Sequence, residues 1–350
     1  MSACKGQNNP EVYPSSVPLR AGERVGELSN SVWIVFQAAN GVYWFGSDKD
    51  GLFQYDGKTL IQYTTKHGLS SNQVRSIQED RHGNIYCATL GGINKFDGKY
   101  FSLLEPIISK SADENWKLQP DDLWFSILGK NGQKGPYRYD GKNLYQLQFP
   151  KHYLADDYFR KYPNNAWSPY EVYTIYKDSK GNIWMGTGNF GICRYDGHSL
   201  SWLYEDHLTN TPNGGSFGIR SILEDQKGQF WFCNSRYRYH ILPDIKKDNG
   251  KVLINYWKEK GMEDISSVDG NYTYFLSITE DSSGVLWMAT YNEGVWRYNG
   301  KEAINYPLKA KGKSITIFSI YKDRKGIIWL GTHNNGAYRF NGDEFEPFRP

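Results

Sequence analysis

A large aromatic residue occupies one equivalent slot seven times along the chain, at Trp44, Tyr86, Trp124, Trp184, Trp231, Trp287 and Trp329. The surrounding unit is clearest near the C-terminus. There Phe318-Ser-Ile-Tyr-Lys-Asp323 leads into Arg-Lys-Gly326, then Ile-Ile-Trp329-Leu-Gly-Thr332, then Gly336-Ala-Tyr-Arg-Phe340-Asn-Gly342. Apolar and polar residues alternate within each run, and turn residues separate the runs, so the unit is strand, turn, strand, loop, strand, turn. A four-stranded unit of this length cannot bury both of its faces alone. It must stack on copies of itself.

In the second unit the four strands are expected at Val74-Arg-Ser-Ile77 (A), Asn84-Ile-Tyr-Cys-Ala-Thr89 (B), Ile93-Asn-Lys-Phe96 (C) and Tyr100-Phe-Ser-Leu-Leu104 (D). The A–B turn carries Gly41, Gly83, Gly181, Gly228, Gly284 and Gly326. The C–D turn carries Asp-Gly or Asn-Gly at 56–57, 97–98, 140–141, 196–197, 299–300 and 341–342, the strongest short-range hairpin signal. Two units are degenerate. The third lacks an A–B glycine, and the fifth loses its C–D signature in Arg236-Tyr-Arg-Tyr-His-Ile-Leu-Pro243. The expected fold is all-β, a seven-bladed β-propeller of four-stranded antiparallel blades over residues 31–350. Residues 1–30 form a flexible tether. The ring closes either through a last outer strand in Asp343-Glu-Phe-Glu-Pro-Phe348 or through a strand from residues 11 to 30.

The charge of +3 over 350 residues lacks the clustered basic footprint of a nucleic-acid binder. No apolar run approaches the roughly 20 residues that would cross a bilayer. Cys87, Cys193 and Cys233 fall inside strands and share no metal-ligand spacing, so they are expected as buried small hydrophobes. The start Met1-Ser-Ala-Cys4 resembles the lipobox end of a bacterial lipoprotein. That likeness implies a lipid on Cys4 and a place in the cell envelope, in the periplasm or at the outer membrane, with a cytoplasmic protein as the alternative.

Asn72-Gln-Val-Arg-Ser-Ile-Gln-Glu-Asp80, Lys180-Gly-Asn-Ile-Trp-Met-Gly-Thr187 and Gly191-Ile-Cys-Arg-Tyr-Asp-Gly197 resemble the two-component regulator propeller repeat, over about residues 30 to 345. The resemblance implies a periplasmic sensor region of the kind found in hybrid histidine kinases, many of which sense oligosaccharides. It also implies a membrane signalling or uptake protein as partner.

Propeller topology places the A–B and C–D turns on one face and the B–C and D–A loops on the other. The second set is long and varied here, with insertions at about residues 105 to 121, 150 to 170, 204 to 218 and 256 to 273, so binding is expected on that face. Tyr153, Tyr158, Phe159, Tyr162, Trp167 and Tyr170 crowd the longest insertion among charged residues, a mixture suited to carbohydrate. The B–C loops add Asp48, Asn189, Asn234, Arg236, Tyr291, Asn292, Glu293, His333 and Asn334. Arg75 and Arg220, in the matching contexts Val-Arg-Ser-Ile and Ile-Arg-Ser-Ile, are candidates to hold a carboxylate from the channel wall or to pair with acids of neighbouring blades. The seven slot aromatics are expected as core packing, and several aromatics of the insertion have packing onto the blade tops as the alternative to recognition.

The acids Asp80, Asp178, Asp225, Asp281 and Asp323 each precede an A–B turn and are expected to cap it. Their Asp-x-x-Gly-x-x-Trp spacing is one residue longer than the sialidase Asp-box. Carbohydrate binding without catalysis is the leading expectation. The alternatives are a polysaccharide lyase or glycoside hydrolase, with Tyr291 and His333 as proton donor and acceptor, and a protein-interaction scaffold. No cofactor is expected, and a cation in the axial channel is left open.

Overall fold

The computed structural model describes residues 21–127, 135–210, 217–233, 236–262 and 274–350. Cys4, the tether up to residue 20 and Asn234 lie outside the described residues.

The strand pattern of the repeat appears almost as written in the sequence. In the second unit Val74–Glu79, Ile85–Thr89, Gly92–Phe96 and Phe101–Leu104 pair antiparallel in that order. Five separate sheets of four or five strands and one eight-stranded sheet that joins two units make an arrangement compatible with seven blades. Every residue of the B strands Ile85–Thr89, Ile183–Thr187, Leu286–Thr290 and Ile328–Thr332 is buried. A strand alternates its side chains between two faces, so burial of both faces means that a neighbouring blade covers each.

The aromatic slot packs between blades, and one carboxylate holds both the ring and the turn. Asp178 Oδ2 accepts from Trp184 Nε1 at 2.8 Å, while Oδ1 accepts from the amides of Lys180 and Asn182. The same bonds recur with Asp225 and Trp231, Asp281 and Trp287, and Asp323 and Trp329. In the second unit Asp80 accepts from the Tyr86 hydroxyl. The third unit has no such acid in place, and the buried Trp124 Nε1 there has no partner among the described residues.

The last blade is completed by Phe345–Pro347, antiparallel to Ala337–Phe340. Of the two closures that the sequence left open, the C-terminal strand is therefore the one observed. The N-terminal segment does form a strand, Glu23–Val25, but it pairs with Leu60–Tyr63 on the outer edge of the first blade instead of completing the seventh. First and seventh blades meet directly. Tyr43 donates to Asp323 at 2.6 Å, and a Cβ on Gly331 would lie 2.4 Å from the Trp33 carbonyl oxygen, so only glycine admits this approach.

Two units depart from the sequence expectation. The third has strands at Leu123–Phe125, Tyr137–Tyr139 and Leu144–Gln146, but its fourth strand, Pro106–Ile108, lies parallel to Leu144–Gln146 on the outside. Its inner strand is absent among the described residues. In the fifth unit the C–D turn has moved outward rather than disappeared. Tyr237–Asp248 and Lys251–Lys260 form a long hairpin whose tip, Asn249-Gly250, has the paired positive φ of 45° and 79° that a tight hairpin turn requires. Residues 256–260, read as loop in the sequence, thus belong to a strand. The outer strand of this hairpin meets Leu200–Leu203 of the fourth blade in parallel, which joins two blades into one sheet.

Candidate functional site

The inner strands build the site through a repeated irregularity. In five units the A–B ladder skips one residue at the same place, leaving Trp33, Arg75, Tyr173, Leu276 and Phe318 out of register. Each is the second residue of its A strand. A bulge of this kind frees one residue from pairing and re-aims its side chain. Arg220 holds the equivalent slot of the fifth unit, just ahead of a strand beginning at Ile222. Trp33, Arg75, Tyr173, Arg220 and Phe318 all line one open cavity of about 1190 Å³ on the loop-rich face.

Two stacked arginine–aromatic pairs form part of its wall. The Arg75 guanidinium lies 4.2 Å from the Trp33 ring centroid, and Trp33 stacks on Phe318 at 4.0 Å with an interplanar angle of 7°. Arg75 also pairs with Asp48 of the preceding blade at 2.8 Å. The Arg220 guanidinium lies 4.2 Å from the Tyr173 centroid, and its Nε donates to the Phe217 carbonyl at 3.0 Å. Among the described residues Arg220 has no ion-pair partner, so it keeps hydrogen-bonding capacity for a ligand. Burial raises the Tyr173 phenol above its ordinary pKa, and the Glu171 carboxylate beside it adds to the rise. Asp157, Lys161, Glu171 and Asp206 also line the cavity, so its charges are mixed.

The insertion at 150–170 supplies the other wall. Its helix, Ala155–Lys161, rests on a buried aromatic seat. Phe190 is met by His152 at 4.4 Å, Tyr170 at 4.6 Å and Tyr158 at 5.6 Å. Burial alone pushes the His152 imidazole down to about 3. The Tyr158 hydroxyl donates to Asn189 Oδ1 at 3.2 Å and accepts from Asn165. Tyr153, Tyr158 and Tyr170 are thus used to seat the insertion. Tyr162 and Trp167 face the cavity and stay 45% and 63% exposed; the Tyr162 ring is met by Tyr158 at 5.1 Å and by the Lys161 ammonium at 5.3 Å, which leaves Trp167 the more open surface for stacking on a ligand.

Of the residues singled out in the sequence, Arg75, Tyr162, Trp167, Asn189 and Arg220 converge on this cavity. Tyr291 and His333 stand at its border. Both contact the Phe318 ring, at 6.3 and 5.5 Å, without lining the cavity themselves. Asn292, Glu293 and Asn334 remain in their B–C loops outside it, with the Glu293 amide donating to Thr290 Oγ1 and its carbonyl accepting from Asn305. Arg236 lies over Tyr237 at 5.6 Å, also away from the cavity. Trp33, Tyr173, Phe318 and Phe190 were missed. The signal for the first three was present, since Arg75 and Arg220 were noted at the same strand position.

Four segments, residues 68–91, 167–189, 268–292 and 311–334, match the two component regulator propeller family. No curated protein matches the sequence. Among solved structures, the extracellular domain of a putative hybrid two component system from B. thetaiotaomicron aligns with 19% identity and a TM-score of 0.56 over 92% of this chain. A second such domain from that organism aligns with 20% identity and a TM-score of 0.58 over 95% of it. The present chain spans 40% of the length of either. Virginiamycin B lyase from Staphylococcus aureus aligns with 14% identity and a TM-score of 0.61, over 90% of this chain and 97% of that one. At these identities the likeness is one of fold.

Proposed function

Given a chain built from two-component regulator propeller repeats, we propose that it is a sensor-type propeller working outside the cytoplasm, and that it binds an oligosaccharide in the cavity of its loop-rich face. The observation that carries this is the make-up of the cavity wall. Trp167 presents an exposed ring, with the half-exposed Tyr162 near it, in the same cavity as the stacked Arg220 and the amide of Asn189. A sugar ring offers an apolar face to an aromatic and a rim of hydroxyls to such donors and acceptors. The volume of about 1190 Å³ exceeds the common range for a single small ligand and suits a chain of several rings. Under this reading the ligand-bound propeller is recognised by a membrane signalling or uptake protein.

Titration calorimetry against neutral and acidic oligosaccharides tests the proposal. Saturable heats are expected with at least one class, weakened about tenfold by Trp167→Ala, a loss typical of an aromatic contact residue. Silence across the whole panel refutes it. Formation of an unsaturated uronate product, abolished by Tyr291→Phe or His333→Ala, would replace binding by lyase chemistry.

A further inference from the structure

Among the described residues the third blade has no innermost strand of the kind its neighbours have, and none of them fills its place. A cavity of about 470 Å³ lies there, opening at the turn face. It is walled by the lower half of the second blade's inner strand, at Ser76 and Gln78, by Ile175 and Lys177 of the fourth blade's, and by Leu123 and Trp124 on the open edge of the third. The reason lies in the preceding segment. Trp116 is drawn outward against Trp124, Phe149 and Tyr195, and its Nε1 donates to the Gln148 carbonyl at 3.0 Å. This chain therefore passes between the third and fourth blades instead of lining the channel.

The empty position keeps the hydrogen-bonding demand of a missing strand. Across the ladder Trp124 pairs only with Arg138, on its outer side. On the inner side its carbonyl is held by the Gln78 side-chain amide at 2.6 Å, in place of a backbone partner. Trp124 Nε1 and Ser76 Oγ, both buried and both on residues of the cavity wall, have no partner among the described residues. An unpaired sheet edge is a template for strand addition.

We propose that this position binds an extended segment of a partner polypeptide, which completes the third blade by strand addition. The neighbouring inner strands define the sequence that fits: apolar, variable, Ser or Thr, Ile, aromatic, Lys, as in Val172–Lys177 and Ile317–Lys322. In the register of the other blades, the aromatic falls opposite Trp124 and the Ile opposite Phe125. The final Lys falls at a mouth where Glu79, Asp80 and Asp121 stand against Arg81 and Lys177. That balance favours a cationic end.

The probe is a labelled, capped hexapeptide with the sequence of Ile317–Lys322, titrated into the full chain and read by fluorescence anisotropy. Saturable binding is expected, about fivefold weaker when the terminal Lys is replaced by Glu, the size of an exposed ion pair. Ser76→Phe, which fills the slot, should abolish it, and Arg220→Ala on the opposite face should leave it unchanged. Should Ser76→Phe not fold, hydrogen exchange on the unsubstituted protein decides, since the Trp124 amide must become protected when the peptide is added. Absence of saturation at about millimolar peptide, or binding without Trp124 protection, overturns the proposal.

Discussion

The two ends of the same inner strands follow opposite rules. At the turn end, five blades repeat one device, an Asp that binds the amides of its own turn and the ring of its blade's aromatic. At the mouth, the equivalent slot holds Trp33, Arg75, Tyr173, Arg220, Leu276 and Phe318, with only the arginine used twice. At each end the backbone repeats from blade to blade, so the difference lies in what the side chains are for. A group that closes a turn and wedges two blades has one good solution, and it recurs. A group freed by a bulge to face solvent or ligand has none in common with its neighbours, and it varies.

The sharpest break of this comparison is to truncate one aromatic at each end. Trp184 is fully buried between the fourth and fifth blades, where it meets Phe230 at 4.5 Å. Trp184→Ala is expected to cost about 3–5 kcal/mol in urea unfolding. Trp33, half-buried at the mouth under Arg75, should cost roughly 1–2 kcal/mol when truncated but should weaken oligosaccharide binding in calorimetry. Equal losses of stability at the two positions would mean that the mouth is as structural as the turn end.

Acid should separate the regions next. His152 is neutral because burial depresses its imidazole from an ordinary 6.5 to about 3, and its Nδ1 accepts from the Leu154 amide. A depressed histidine binds fewer protons folded than unfolded. Its contribution is therefore complete above pH 6.5 and is lost as pH falls towards 3, at about 1.4 kcal/mol per unit. Asp80 also loses its contribution in acid, but at lower pH. Burial alone would raise its pKa, yet the bonds from Asn84, His82 and Tyr86 prevail and hold it below the usual carboxylate value of 3.8. The insertion should thus loosen at a pH where Asp80 still holds its turn. Denaturation midpoints measured between pH 7 and 4 should fall for the parent protein and fall less for His152→Leu; parallel slopes would reject the assignment.

Much of the fold was legible because its determinants are local. Asp56-Gly57 makes a hairpin wherever it stands between two strands, and the Asp Oδ1 bonds to the amides of Lys58 and Thr59 show why. The third blade was not legible, since its departure depends on Trp116 meeting Tyr195 of the next blade, a contact without any signal in its own repeat. Nor was the fifth blade's turn, because Asn249-Gly250 lies beyond the expected spacing. The site was partly legible. Arg75 and Arg220 stand out as charges in apolar strands, whereas Trp33 and Phe318 carry no such contrast with their strands. Only the bulge, which no residue type announces, turns them towards the mouth.

The smallest stability effect should come from the residue that the comparison assigns most fully to recognition. Arg220 has one side-chain hydrogen bond to a backbone carbonyl, a guanidinium 4.2 Å over the Tyr173 ring centroid, and no ion pair among the described residues. Lysine keeps the charge but has neither the planar fork nor the stacking face of a guanidinium. Arg220→Lys should therefore change unfolding stability by no more than about 0.5 kcal/mol, the range of substitutions away from core and caps. Ligand affinity should nevertheless fall about tenfold, as for a hot-spot residue at a binding surface. For Arg75→Lys the fall should be smaller, because the Arg75 fork is already engaged by Asp48 at 2.8 Å. Calorimetry on the two variants side by side ranks the arginines. A larger loss at Arg75 would move the centre of the site from the fourth and fifth blades to the first and second.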